Sequence, residues 1–293
     1  MKTSIAVLLS GLVLGQTVPY VRTKTGDGAH CLRWPVNAGA RGTIHFVQSS
    51  TGDPALGNGV FDAVSRSAQT WESQLQACGN LDLAETGQHS ASRFVGYTQS
   101  GQNENLVLFR LQLCSAVVPP GDSCVAAGNC GNAHDCWDHG STVVALTTSS
   151  YIVSSGELLD ADVEMNAASA TPTIVDSPPC SPGGISTSCV ANDLQNAVTH
   201  EIGHFLGLAH SPDPSSTMFA SEPLGETSKR VLDTGSKQFV CDVYPAGQAS
   251  KDCGSSNSGC STAGDPGALG PGILLLLLAL ASRRSAASYY GGA

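Results

Sequence analysis

Five segments carry apolar residues in short runs or in alternation and are bounded by turn-forming residues: TIHFV (43–47), RFVGYT (93–98), NLVLFRLQL (105–113), TVVALTT (142–148) and ELLDADVEM (157–165). An extended chain points successive side chains to opposite faces, so these segments predict about five strands. Between the first two the period changes. Phe61, Val64, Ala68, Trp71 and Leu75 are separated by 3, 4, 3 and 4 residues, which puts them on one stripe of a helix that Gly79 can end. A second helix is expected to start at Asn192 or Asp193, either of which can cap it, with Leu194, Val198, Ile202 and Phe205 on its buried side. Strands and helices without an internal repeat predict an α+β fold.

The two ends follow other patterns. MKTSIAVLLSGLVLG sets Lys2 before an apolar run from Ile5 to Leu14, then small or polar residues at Gly15 and Thr17; this is the layout of a signal peptide, assigned to residues 1–17. Residues 249–265 read as a flexible Gly/Ser-rich linker. Beyond it, PGALGPGILLLLLALAS is too apolar for an exposed tail and short for a full bilayer span, and Arg283 and Arg284 follow it. Cysteine, apolar stretch and arginine pair in this order resemble the MYXO-CTERM type of bacterial surface-sorting tail. That resemblance implies that residues 266–293 sort or anchor the protein at a membrane. Residues 18–248 are left for one domain.

Composition narrows the classes. Hydrophobic residues make up 41% and charged ones 13% of the chain, so its bulk can bury a core and is not disordered. Net charge is -10 and adjacent basic residues occur only as the pairs Lys229–Arg230 and, in the tail, Arg283–Arg284, which excludes a nucleic-acid footprint. Eleven cysteines in an exported chain predict disulfides with at least one left over, and Cys260 in the linker is the candidate. Cys124, Cys130 and Cys136, near His134 and His139, suit either a stapled loop or a second metal site, with the staple favoured.

The chemistry concentrates in THEIGHFLGLAHS (199–211), which holds three of the eight histidines. On the second helix His200 and His204 stand at i and i+4, on one face, with Glu201 beside them. A helix continued to residue 210 would carry His210 too far along its axis. Gly207 supplies the backbone freedom for a turn that brings His210 back as a third nitrogen ligand. Three neutral imidazoles leave a tetrahedral Zn2+ with one open position, the arrangement of a catalytic site.

HEIGHFLGLAHS with STMF downstream resembles the metzincin zinc peptidases, and among them the matrixins, because Ser211 follows the third histidine. An adamalysin-like enzyme would have Asp at position 211. An astacin- or serralysin-like one would have a metal-binding Tyr at position 220, which is Ala. The resemblance implies a metzincin-like fold: a twisted mixed sheet with an early helix, the active-site helix and a C-terminal helix in the closing segment RVLDTGSKQFVCDVYP. It implies one catalytic zinc, Met218 in a turn beneath it, and an extended substrate paired with an edge strand near Thr142 to Thr148. It also makes FASEPLGETSKR the wall of the specificity pocket, without the family's usual Pro-x-Tyr.

The departures concern latency and accessory metals. No P-R-C-G cysteine switch is present, and Cys31 is expected in a disulfide rather than on zinc. The histidines of the second zinc site of animal matrixins are missing. Asp160, Asp162 and Glu164 share one strand face and suit either calcium or an exposed, solvated edge.

These readings combine into an exported or surface-attached zinc endopeptidase, monomeric, acting on protein or peptide substrates with Glu201 as general base. Two alternatives use the same fold: a surface binding protein or adhesin without turnover, and a hydrolase of cell-wall peptides. The filled catalytic positions favour the endopeptidase.

Overall fold

The computed structural model describes residues 20–101, 103–253 and, for the backbone, 286–292. The signal peptide, Cys260, most of the linker and the apolar run 266–282 lie outside these residues.

The first strand, β1 (Gly42–Gln48), leads into α1 (Gly59–Cys78), the helix read from the 3, 4, 3, 4 spacing. Gly79 caps it with extended backbone, and its N–H donates to Leu75 O; a side chain at Gly79 would meet that carbonyl at 2.8 Å. The chain returns through β2 (Leu81–Glu85) and β3 (Leu106–Arg110), then makes three short helices: α2 (Cys114–Val117), α3 (Ser123–Ala127) and α4 (Cys130–His134). Next come the hairpin β4 (Ala145–Ile152) and β5 (Leu158–Asn166), a small parallel pair β6 (Pro172–Thr173) and β7 (Asn192–Asp193), and α5 (Leu194–Phe205). A 3-10 turn (Ser228–Arg230), α6 (Thr234–Val243) and β8 (Ala286–Gly292) complete the order.

The sheet runs β2-β1-β3-β5-β4-β8. Its first four strands are mutually parallel, and β4 lies antiparallel between β5 and β8. The mixed sheet, early helix, active-site helix and C-terminal helix follow the expected α+β plan. Two strand expectations do not hold. Residues 93–98 form no strand: Val95 bonds the Asn132 side chain through both backbone groups, and Gly96 N–H goes to the Asp162 carboxylate, so their backbone groups serve a covering loop. LDLAE (81–85), read as no element, is the edge strand β2.

α1 and α5 cross on one face of the sheet and share the main core with Phe46, Phe109, Val163 and Met165. Trp71, fully buried on α1, donates its indole N–H to Thr199 O at 2.7 Å and so ties the two helices together. α6 closes the bottom, where Tyr244 donates to Leu206 O at 2.7 Å. Burying these indole and phenol groups without partners would cost about 1–3 kcal/mol each, so their bonds fix one packing.

Ten described cysteines form five disulfides: 31–253, 78–241, 114–136, 124–130 and 180–189. The stapled-loop reading of Cys124, Cys130 and Cys136 holds, and Cys31 is bonded to Cys253. Among the described residues no helix is long and apolar enough to cross a membrane.

Candidate active site

α5 begins where Asp193 accepts the Asn196 N–H at 2.8 Å, and Arg230 holds the same carboxylate. Its helical turn places His200 and His204 on one face, both buried. The helix ends at Phe205, and two residues later Gly207 adopts φ 106°. A side chain at Gly207 would collide with the Leu32 carbonyl. Residues 21–32 brace this turn: Thr23 N–H donates to Gly207 O at 2.9 Å, Thr23 Oγ1 to Leu208 O at 2.8 Å, and Ala209 N–H to Val21 O at 2.9 Å. The braced backbone doubles back and delivers His210.

The three rings then surround one point. Their centroids lie 4.8 Å (200–204), 5.3 Å (200–210) and 4.8 Å (204–210) apart. His200 Nδ1 donates to Thr217 O at 2.7 Å and His204 Nδ1 to Leu208 O at 2.8 Å. Those bonds fix the tautomers and turn both Nε2 lone pairs inward, where they sit 3.1 Å apart. Two acceptors at that distance repel unless a cation lies between them, so the donor set fits a divalent metal ion, which the three ligand atoms are close enough to hold. Burial drives His200 well below the usual histidine range, with the neighbouring His204 and Lys229 adding to it, and lowers His204 to about 3 with help from His210. Both rings are therefore neutral, as ligands must be.

Glu201 is buried beside them. Thr147, on β4, donates its hydroxyl to Glu201 Oε2 at 2.6 Å and also contacts the Glu201 backbone carbonyl at 3.0 Å. Met218 lies buried beneath the site against Gly203, where any side chain would run into its sulfur. Its turn is held by Ser211 N–H donating to Met218 O at 2.8 Å and by the Asp233 carboxylate, which accepts Thr217 N–H while capping α6. His200, Glu201, His204, Gly207, His210 and Met218 are all brought together.

Three contributors escaped the sequence reading. Thr147 acts through its hydroxyl and Thr23 through its hydroxyl and backbone N–H, each on a residue distant in sequence, which no local spacing betrays. Lys229, within the expected pocket wall, is buried, with Nζ donating to Ser221 O at 2.8 Å and its N–H to Asn196 Oδ1 at 2.7 Å. In the same wall, burial pushes Glu222 up to about 8 despite the opposing Lys229 charge.

The outer face of the sheet corrects one expectation. Asp160, Asp162 and Glu164 are buried rather than solvated on an edge, because residues 93–139 fold over them and β4 lies outside β5. Asp162 accepts N–H groups from Gly96 and Leu106, and Glu164 accepts the Arg110 guanidinium at 2.6 Å. Among the described residues the other two clusters with metal-ligand composition, at Cys31–Asp252–Cys253 and Asp122–Cys124–His134, have their sulfurs in disulfides.

The family model described as matrixin matches residues 43–244. No curated protein matches the sequence.

Proposed function

The chain belongs to the matrixin family of zinc-dependent metallopeptidases, and on that premise we propose that it is an exported, monomeric endopeptidase whose His200, His204 and His210 hold one zinc ion. The observation that carries the reading is the convergence of the rings, with the His200 and His204 Nε2 atoms 3.1 Å apart and their Nδ1 atoms engaged outward. Bound zinc would acidify a water molecule and polarise the peptide carbonyl.

The chain's own groups do the rest. Glu201 accepts the proton of the attacking water and later returns it to the departing amine. The Thr147 hydroxyl orients the carboxylate by donating to Oε2. The β4 edge away from β5, which β8 fills here, is the one an extended peptide would use by strand addition. The stretch 219–230, with Lys229 buried and Glu222 half-buried in it, walls the pocket for the substrate side chain. Five disulfides support export to an oxidising compartment. Residues 1–17 are proposed as the signal peptide and 266–293 as a sorting or anchoring tail. Calcium has no role in this reading.

Glu201→Gln is the test. The variant is expected to keep its zinc and lose hydrolysis of a casein or gelatin substrate, whereas undiminished hydrolysis would remove Glu201 from the mechanism.

A further inference from the structure

β4 carries Thr147, the residue that touches Glu201, and one of its edges is taken by β5. The other edge is the one an extended substrate would need, and it is already paired. Residues Ala286–Gly292, AASYYGG, lie along it as β8 in an antiparallel ladder from Leu146↔Gly292 to Ile152↔Ala286. β8 also comes alongside α5, the helix of the histidines. Gly291 stands opposite Thr147 and Gly292 opposite Leu146, so the segment brings residues with no side chain to the point of the strand nearest Glu201. Its remaining residues carry no charge.

We propose that residues 286–292 are an intramolecular competitor of the substrate: a strand that fills the β4 edge by the same backbone hydrogen bonds a peptide would use, and must leave before a substrate can bind. The proposal rests on the reading of β4 as the substrate edge. It gives the chain a means of holding activity back that does not need a cysteine switch. It also makes the position of the tail decisive. If the apolar run 266–282 crosses a bilayer, residues 286–292 lie on the far side from β4 and the edge is open; pairing and crossing exclude one another.

Ser288→Pro and Tyr289→Pro, introduced together in the full chain, test the competition. Proline donates no backbone N–H, and two adjacent positions include one that faces β4 whatever the phase of the ladder. Amide hydrogen exchange over residues 145–152 and kcat/KM on an unstructured peptide are measured for both proteins. Faster exchange in the variant, with a rise in kcat/KM of roughly tenfold or more carried mainly by KM, is expected, because apparent affinity scales with the fraction of open edge. Equal exchange would overturn the docking whatever the activity. Faster exchange with unchanged kcat/KM would overturn the competition. Absence of turnover in both proteins would overturn the peptidase reading beneath it, with exchange still deciding whether the strand docks.

Discussion

The two faces of the sheet next to β5 both bury polar groups, and they handle them in opposite ways. On the outer face Arg110, fully buried, meets Glu164 at 2.6 Å and Asp135 at 2.7 Å. Burial alone would raise Glu164, but its hydrogen bond from His139 and the Arg110 charge outweigh that and hold it below the usual carboxylate range. Charge is cancelled within the protein, and the Cys114–Cys136 and Cys124–Cys130 bridges staple the cover. On the inner face the imidazoles are anchored from behind by carbonyls and turn like-natured nitrogens toward one another. Burial is common to both, so it does not mark the functional site. What marks it is a set of buried donor atoms whose geometry is completed only by something from outside.

The sharpest way to break this contrast is the Glu201→Gln variant, where the expected loss in kcat is about 10²–10⁴-fold with folding and zinc content retained; a loss of stability instead would make the inner face structural like the outer one. Arg110→Met should show the reverse pattern. It leaves Glu164 buried beside an apolar chain and is expected to cost about 3–5 kcal/mol in denaturant unfolding, while zinc per folded chain stays the same. Adding Glu164→Leu should recover much of that loss.

A smaller effect separates the well-paired from the poorly paired carboxylates of the outer face. Asp160 has a buried Oδ2 without a hydrogen-bond partner and lies against Asp162; burial raises it to about 6. A carboxyl whose folded value exceeds its unfolded one binds the proton more tightly when folded. It therefore favours folding below about pH 4, and that contribution is lost as the pH rises through 6. Asp160→Asn is expected to raise stability by about 1–3 kcal/mol at pH 7, with the gain shrinking to nothing near pH 4 in parallel unfolding curves. The smallest effect is that of Thr147→Val, which removes one bond to Glu201: roughly a tenfold fall in kcat, little change in KM, and unchanged zinc.

The sequence was most legible where spacing alone determines geometry. The i, i+4 histidines, the glycine turn, the Asp193 cap and the apolar stripe of α1 are local patterns, and each stands where it was expected. Strand recognition failed where backbone partners are remote: residues 93–98 alternate like a strand but give their hydrogen bonds to Asn132 and Asp162, and the partly acidic LDLAE becomes a strand only by pairing with β1. Burial of Asp160 and Asp162 was hidden for the same reason, because the covering loop comes from sequence far upstream. Thr147, Thr23 and Lys229 are ordinary residues until the fold sets them beside Glu201, Gly207 and Asn196.

The most direct measurement is the metal content of the purified full chain beside that of His210→Ala. One zinc per chain is expected in the first, and in the second a folded protein that loses its zinc to a mild chelator. Equal, chelator-resistant zinc in both, or none in the unaltered chain after zinc loading, would contradict that expectation.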